Sequence, residues 1–223
     1  MQDGRGQMTD WKRLREEMVE KQLRRRGIRD PRVLHAMRRV PRHEFIPGEP
    51  GPEAYADEPA AIGAGQTISQ PYMVAAMVEA LELKGVERVL EVGAGSGYHA
   101  AVLAELAAEV IAIEREPVLV DLARRNLKRL GYDRVTVIEG DGSLGYPSAA
   151  PYQAISVAAG APDVPAQLLE QLDSKNGRLV IPVGSLDDQE LRLIRKLPDG
   201  IETRVVNFCR FVPLRGAQAW RIE

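Results

Sequence analysis

Apolar residues recur at helical spacing among charged ones near the start of the chain. Over residues 10–26 this pattern predicts an amphipathic surface helix, which Thr9 or Asp10 can cap and Gly27 can end. A second, shorter helix is expected to begin at Pro31, since proline is favoured at the first helical position behind an aspartate cap. The first part of the chain is therefore expected to be helical.

The periodicity is lost over residues 47–65, which are rich in proline, glycine and alanine. Such a composition predicts an ordered loop. Helical spacing returns from Gln70 or Pro71 to about Leu83. The loop is therefore expected to lead directly into a third helix.

From residue 88 onward, short apolar strands alternate with helical stretches. Strands are expected at 88–92, 109–113 and 135–138, with helices from about Tyr98 and over 117–130. Repeated strand–helix–strand units build a parallel sheet with helices on both faces. The pattern therefore predicts a doubly wound α/β fold.

The C-terminal third continues the apolar runs but connects them differently. They occupy residues 153–157, 178–183, 191–196 and 201–212. A Pro198-Asp199-Gly200 turn signal separates the last two runs. We therefore expect a Rossmann-like sheet that is mostly parallel and ends in an antiparallel hairpin.

Composition and charge argue against a nucleic-acid partner. The 223 residues suffice for one domain with a sizeable core. The 30 Lys and Arg residues nearly balance the 32 Asp and Glu residues, so the net charge is −2, and aromatic residues make up only 5% of the chain. The chain therefore offers neither a global positive field nor many stacking platforms.

Cysteine and histidine usage removes further classes of chemistry. Cys209 is the only cysteine, which favours a reducing, cytoplasmic location. His35, His43 and His99 are scattered without metal-ligand or catalytic-triad spacing, so packing or surface roles and no metal are expected. No stretch reaches the roughly 18 apolar residues of a membrane span, and the N-terminus lacks an apolar leader segment. We expect a soluble, unprocessed monomer without membrane contact.

The segment EVGAGSGY at 91–98 carries the first chemical signal. It places Gly93, Gly95 and Gly97 between a strand and a helix, where small residues let the backbone approach a ligand closely. Glu114 follows Gly93 by 21 positions (114 − 93) and closes the next strand, where a carboxylate can accept hydrogen bonds from both ribose hydroxyls. The spacing favours an adenosine cofactor over a tight turn followed by a surface acid.

Three details favour S-adenosylmethionine over a nicotinamide dinucleotide. Dinucleotide folds use G-x-G-x-x-G, but Tyr98 stands where the third glycine would be. Glu91 would repel a pyrophosphate but attract the ammonium of a methionine moiety, directly or through water. Asp141 ends the strand after Glu114 and could accept from an adenine amino group, although an Asp-Gly pair is equally typical of a turn.

A longer stretch carries a more specific signal. AYADEPAAIGAGQTISQPYMVAAM at 54–77 resembles the signature that precedes the first core helix in protein-L-isoaspartate O-methyltransferases. The resemblance continues through VPRHEFIP (40–47), VLEVGAGSGY (89–98), EGDGSLGY (139–146), APYQAISV (150–157), GRLVIPVG (177–184) and FVPL (211–214). It covers nearly the whole chain apart from about the first ten residues and the last few.

The resemblance implies a fold and a reaction. The fold is a seven-stranded methyltransferase sheet in a single domain, with residues 1–84 as a helical extension and active-site loop and residues 85–223 as the cofactor-binding core. The reaction transfers a methyl group from S-adenosylmethionine to the α-carboxylate of L-isoaspartyl residues in damaged proteins and peptides. S-adenosyl-L-homocysteine is the other product. The ester then collapses toward a succinimide, which begins repair.

The resemblance also implies roles for individual residues. The cofactor residues are Thr67, Ile68, Glu91, Gly93, Gly95, Gly97, Glu114, Asp141 and Gly142. Ser69 takes the catalytic position where cofactor and acceptor meet, although a serine followed by Gln70 and Pro71 is also typical of a helix N-cap. The peptide-binding residues are Gln66, Val212, Pro213 and Leu214. The chain departs from the family pattern at Gln153, Ala158 and Ala61, where aspartate, threonine and proline are common, so these positions are expected to support the pocket differently.

A carboxylate acceptor fits the lack of a recognisable general base. Its unperturbed pKa is about 4, so it is already an anion at neutral pH. Three other functions remain open: a methyltransferase of small molecules or RNA, a nicotinamide-dependent oxidoreductase, and a non-catalytic adenosine-binding module. Charge and aromatic content disfavour RNA, the glycine spacing disfavours the oxidoreductase, and the segment 63–72 has no explanation in a pure binding module.

Overall fold

The computed structural model describes residues 9–221. Its α-helices are α1 (Trp11–Glu17), α2 (Pro31–Arg39), α3 (Pro71–Ala80), α4 (Tyr98–Ala104), α5 (Pro117–Arg129) and α6 (Ala166–Glu170). Helix α1 continues as a π-helical turn over Met18–Leu23 and a 3-10 turn over Arg24–Arg26. Further 3-10 turns lie at Arg42–Phe45, Pro52–Tyr55, Gly142–Leu144 and Pro147–Ala149.

The strands belong to one small and one large sheet. They are β1 (Ala60–Gly63), β2 (Gln66–Ile68), β3 (Arg88–Val92), β4 (Glu109–Glu114), β5 (Val135–Glu139), β6 (Ala154–Val157), β7 (Gly177–Gly184), β8 (Gln189–Leu197) and β9 (Gly200–Cys209). Strands β1 and β2 pair antiparallel. The large sheet has the order β5-β4-β3-β6-β7-β8-β9, with parallel pairing from β5 to β7 and antiparallel pairing beyond. This confirms the predicted sheet and its C-terminal hairpin.

Hydrophobic clusters cover both faces of the large sheet. Alternate strand residues point to opposite faces. On β3 and β4, Val89 and Val110 join the cluster that includes side chains of α1 to α5, whereas Leu90 and Ile111 join the cluster that includes Leu168 of α6. The strands are buried between these layers, which explains their nearly continuous apolar sequence.

The N-terminal helices begin and end as predicted, with one difference. Asp10 caps α1 by accepting from the backbone N–H of Arg13 at 2.9 Å, and Gly27 ends the segment with a left-handed φ of 101°. The π-helical turn was not predicted. It aligns Met18 and Leu23, which are five positions apart (23 − 18), on the same buried side.

The segment predicted as a loop over 47–65 contains more regular structure. Strand β1 lies within it and pairs with β2 across Ala64 and Gly65, both with positive φ. The two strands have four and three residues, which is too short for alternation to be recognised from the sequence. The hairpin leads toward α3, which ends at Ala80 rather than near Leu83.

Among residues 9–221, no helix combines the length and apolar character needed to cross a membrane.

Arg42 is a fully buried cation that joins three segments near the start of α3. Its guanidinium donates to the backbone carbonyls of Ala54 (2.9 Å), Glu58 (3.2 Å) and Ser69 (2.8 Å). It also lies 5.1 Å from the ring centroid of Tyr98. Burial lowers the pKa of Arg42 from its ordinary value, but the three carbonyls and the ring compensate the charge. The cation therefore fixes the loop before α3.

We expect Arg42→Met to lower the free energy of unfolding by about 3 kcal/mol, because the carbonyls of Ala54, Glu58 and Ser69 lose their buried donor. Denaturant titration of both proteins measures this difference. Arg39→Met is the control, since Arg39 is largely exposed and its ion pair with Glu105 is at the surface. Its expected effect is below about 1 kcal/mol. Equal effects of the two substitutions would contradict the role given to Arg42.

Candidate active site

A cavity of about 560 Å³ opens at the carboxyl ends of β3, β4 and β6. We call it the glycine-loop cavity. It is lined by Gln66, Thr67, Val92, Gly93, Gly95, Ile113, Glu114, Arg115, Glu116, Gly142, Ala158, Ala159, Val212, Pro213, Leu214 and Arg215. Open α/β sheets bind ligands at this edge.

Glu114 anchors the glycine loop from the end of β4. Its carboxylate accepts from the backbone N–H groups of Gly95 (2.9 Å), Arg115 (2.8 Å) and Glu116 (3.0 Å). A carboxylate has about four lone-pair positions, so about one remains to accept from a ligand in the cavity. Glu114 can therefore shape the loop and contact a ligand hydroxyl at the same time.

Glycine is required at two positions in the cavity wall. Gly95 has a φ of 56°, and a Cβ there would lie 3.1 Å from Cδ1 of Ile62. At Gly142 a Cβ would lie only 2.5 Å from Cγ1 of Val92. These positions leave bare backbone at the cavity surface, which allows close approach by a ligand.

Four residues expected in the cofactor site do not line the glycine-loop cavity: Ile68, Glu91, Gly97 and Asp141. Gly97 precedes α4 and faces Leu127 and Ala123 of α5, so its role is to turn the chain into the helix. Glu91 is fully buried on β3 beneath the loop. A direct ligand contact from the Glu91 carboxylate does not fit this arrangement. An interaction with the ammonium through water stays a prediction.

Asp141 has the turn role that its sequence allowed. Its Oδ1 accepts from the backbone N–H and hydroxyl of Ser143, at 3.0 and 2.7 Å, and its Oδ2 accepts from the N–H of Ala217 at 2.8 Å. These contacts hold the pKa of Asp141 below its usual value, despite the opposing effect of partial burial. Gly142 lines the glycine-loop cavity, whereas Asp141 lines a neighbouring space together with Arg115, so the contact from Asp141 to adenine stays a prediction.

A wider groove of about 1280 Å³ adjoins the glycine-loop cavity. We call it the acceptor groove. It is lined by Arg26, Pro59, Thr67, Ser69, Gln70, Met73, Ala158, Leu186, Asn207, Phe208, Cys209, Arg210, Phe211, Val212 and Pro213. The residues common to both are Thr67, Ala158, Val212 and Pro213. The two spaces are therefore separated only by these shared walls.

Ser69 lies in the acceptor groove but does not cap α3. Gln70 is the residue before the helix, and Asp57 accepts from the N–H of Tyr72 at 3.1 Å. Among the described residues, the Ser69 hydroxyl has no hydrogen-bond partner, while its carbonyl is held by Arg42. The helix end is thus already occupied by a carboxylate, and the free group that Ser69 offers is its hydroxyl.

Gln66 and Leu214 were expected to contact a peptide, but both line the glycine-loop cavity and not the acceptor groove. Val212 and Pro213 line both spaces. Ile68 is buried and borders a smaller cavity with Thr67 and Ser69. The structure thus brings these predicted residues together, but it distributes them between the cavity and the groove differently from the prediction.

One wall of the glycine-loop cavity is formed by residues 212–215, which are distant in sequence from the glycine loop. The N–H of Gly160 donates to the carbonyl of Val212, and the N–H of Leu214 donates to the carbonyl of Gly160, both at 2.8 Å. At the rim, Arg215 pairs with Glu116 at 2.7 Å across 99 positions of sequence. Sequence reasoning missed this pair because neither residue belongs to a recognisable motif.

The groove is cationic. Arg26 and Arg210 are the charged side chains among its described lining residues. Arg26 stacks on the Tyr72 ring, 3.6 Å from its centroid, and pairs with Asp57. Arg210 pairs with Asp187 at 3.1 Å. The groove therefore favours an anionic group without presenting a wholly unpaired charge.

The departures from the family pattern have different consequences. The Gln153 side chain accepts from the N–H of Arg88 at the other end of the sheet, so it does not support the pocket. Ala158 lines both the cavity and the groove, and its small side chain leaves room there. Ala61 is exposed on β1.

The histidines have three different environments. His35 is exposed, and His43 stacks on Trp11 with ring centroids 4.3 Å apart. His99 is buried and borders the smaller cavity. Within the described ranges, no cluster of three His, Cys, Asp or Glu side chains could hold a metal ion. The site can place two ligands side by side, which suits group transfer between them.

Comparisons with known proteins agree with this arrangement. A family model described as protein-L-isoaspartate(D-aspartate) O-methyltransferase matches residues 13–219. A protein-L-isoaspartate O-methyltransferase of Methanoculleus marisnigri is 52% identical over 212 residues, which cover 95% of this chain and 96% of that protein. A protein-L-isoaspartate O-methyltransferase 2 of Marinobacter nauticus is 56% identical over 209 residues, covering 93% and 95%.

A solved structure is also similar. It is a Plasmodium falciparum protein described as a putative protein-L-isoaspartate O-methyltransferase in complex with S-adenosyl-L-homocysteine. It has a TM-score of 0.76 and 29% sequence identity, and the match covers 93% of this chain and 99% of that one.

The tether from Glu114 to the loop generates a prediction. In Glu114→Gln an NH₂ group replaces one of the two acceptor oxygens. The side chain then cannot accept from the N–H of Gly95 and the N–H of Arg115 with separate oxygens. We expect about 1–3 kcal/mol less stability. We also expect roughly tenfold to hundredfold weaker binding of S-adenosylmethionine, since a hydrogen bond to a charged acceptor is lost. Calorimetric titration and thermal melting measure the two effects.

Glu109→Gln is the matched control, because Glu109 begins the same strand and pairs with Arg88 at the surface. It should bind the cofactor like the parent. Unchanged affinity in Glu114→Gln would contradict the assignment of Glu114 to the cofactor.

Proposed function

The chain belongs to the protein-L-isoaspartate(D-aspartate) O-methyltransferase family, and from this premise we propose that its two adjoining spaces bring cofactor and peptide together at Ser69. The protein is an enzyme that methylates isoaspartyl residues with S-adenosylmethionine. The glycine-loop cavity holds the cofactor, and the acceptor groove holds the damaged peptide.

The residues of the glycine-loop cavity suit this cofactor. The bare backbone at Gly95 and Gly142 allows a ligand to approach the cavity wall closely. Glu114 retains about one acceptor position for a ribose hydroxyl. Gly93 lines the cavity, and Thr67 lines both the cavity and the groove. When bound, the cofactor supplies an electrophilic methyl group on a sulfonium.

The acceptor is the α-carboxylate of the isoaspartyl residue. In an isoaspartyl linkage the side-chain carboxyl forms the peptide bond, so the α-carboxylate is left free. With a pKa of about 4 it is already ionised at neutral pH, and no general base is required. The cationic side chains Arg26 and Arg210 attract it into the groove, and the unpaired hydroxyl of Ser69 can donate to it.

The shared walls carry this proposal. Thr67, Ala158, Val212 and Pro213 line both spaces, so a methyl donor on one side meets an acceptor on the other. Two bound ligands would displace water from this junction, and a carboxylate with fewer bound water molecules is a better nucleophile. Since a cation and an anion neutralise each other as the methyl moves, a partly desolvated site favours the transition state over the separated ions.

Further assignments extend this proposal. We assign residues 1–84 and 85–223 to one domain, because among the described residues one hydrophobic cluster runs from Met18 to Phe211. The lone Cys209 supports a cytoplasmic location. The near-neutral charge supports an enzyme that acts on proteins and not on nucleic acids, and we propose that it works as a monomer.

Methyl transfer to paired synthetic peptides tests the function. The peptides differ only in an aspartyl or isoaspartyl linkage, and the cofactor carries a labelled methyl group. We expect label in the isoaspartyl peptide alone, released again as the ester collapses. Labelling of neither peptide, or of both equally, would refute the proposed reaction.

Ser69→Ala tests the catalytic position. We expect methyl transfer at saturating cofactor to fall by roughly tenfold to a thousandfold, as when one oriented donor is lost. Because Ser69 does not cap α3, the melting temperature and cofactor affinity should stay close to those of the parent. A lower melting temperature with normal turnover would instead make Ser69 a structural residue.

A further inference from the structure

A buried acid and a buried imidazole face each other beneath the glycine loop. Glu91 lies on β3 with none of its side chain exposed, and His99 lies in the first turn of α4. His99 Nδ1 is 3.7 Å from Glu91 Oε1, which is too long for a hydrogen bond. His99 Nε2 is 3.5 Å from the hydroxyl of Ser156, the residue opposite Glu91 on β6.

The pair is unsatisfied within the described part of the chain. Both carboxyl oxygens of Glu91 and Nδ1 of His99 are buried without a hydrogen-bond partner. Buried polar groups are nearly always paired, so such a cluster calls for an explanation outside fold stability. A ligand in the neighbouring cavity can provide one.

The cluster adjoins the site. His99 and Ser96 border a smaller cavity of about 320 Å³, which shares Thr67, Gly93 and Gly95 with the glycine-loop cavity. Glu91 lies behind this wall. The imidazole therefore separates the carboxyl from the space that a cofactor would enter.

Burial favours the neutral form of both groups when no ligand is bound. The pKa of Glu91 is raised well above its ordinary value by burial and by the nearby anion of Glu114. Burial lowers the pKa of His99 to about 4. Among the described residues, the titratable groups that face Glu91 are Glu114 from β4 and His99 from α4, while β6 presents the uncharged Ser156.

We propose that cofactor binding is coupled to ionisation of Glu91, and that His99 is a positioning residue which aligns the carboxyl with the ammonium of the cofactor. The inference rests on the proposed function. The Glu91 O–H bond breaks, its electron pair stays on the oxygen, and the proton leaves to solvent. His99 stays neutral, because a second cation beside the ammonium would be repelled.

The sign of the pH dependence follows. Without ligand the pKa of Glu91 is raised, and an ammonium nearby lowers it, since an opposite charge favours the anion. Binding therefore releases a proton between the two pKa values. Cofactor affinity rises with pH through that window, by up to about tenfold per pH unit for one proton.

Calorimetric titration with S-adenosyl-L-homocysteine tests this without turnover. The titration is run from about pH 5 to 8, where histidine and a carboxyl with a raised pKa titrate. Comparing two buffers of different ionisation enthalpy gives the number of protons released. We expect up to about one proton released by the parent. Glu91→Gln should release none and bind with an affinity that does not change with pH.

Two controls make the result specific. 5′-Methylthioadenosine lacks the amino acid moiety, so its binding should release no proton. Glu91→Gln should keep the melting temperature of the ligand-free parent, because the carboxyl it replaces is already neutral. A lower melting temperature in Glu91→Gln would show that Glu91 is ionised before binding and would overturn the proposal.

His99 is tested by two substitutions. His99→Leu should shift the pH midpoint of S-adenosyl-L-homocysteine binding. His99→Gln, which keeps a polar group, should bring the midpoint back toward that of the parent. An unchanged pH profile in His99→Leu would remove the positioning role. If isoaspartyl peptides are methylated but the parent releases no proton, this inference fails alone. If no methylation and no S-adenosyl-L-homocysteine binding occur, the proposed function fails with it.

Discussion

The buried guanidinium of Arg42 fixes the backbone around the acceptor groove. A planar cation can satisfy several carbonyls at once, and here they come from Ala54, Glu58 and Ser69. Arg42 does not line the groove, but it donates to the carbonyl of Ser69. The backbone that carries the Ser69 hydroxyl is therefore fixed. Stability and site geometry are thereby linked, because the loop cannot move without leaving a buried charge poorly paired.

Three acids near the glycine loop show how burial and backbone donors assign different tasks to one functional group. Glu114 is held by three N–H groups and stays available to a ligand at one side. The carboxylate oxygens of Asp141 accept from Ser143 and Ala217, which fixes the turn beside the cavity wall. Glu91 has no partner among the described residues, so its charge state is open to influence from the cavity. Their chemistry follows from these surroundings.

Much of this arrangement could be predicted from the sequence, because it depends on local patterns. The apolar runs on β3, β4 and β7 and the turn at Pro198 identify the sheet and its hairpin. The β1–β2 hairpin was missed because its strands are too short to show a period. The contacts of Asp141 were not predictable either, because one of them comes from Ala217, which is distant in sequence.

The wall formed by Val212, Pro213 and Leu214 has a consequence for the order of events during translation. Residues from β3 and β4 emerge from the ribosome first, but the glycine-loop cavity lacks a side until the segment around residue 213 pairs with Gly160. A growing chain that has reached only β9 would present its loop to solvent and hold a ligand poorly. Cofactor retention would thus begin late, so the enzyme becomes active only after its own sheet has been assembled.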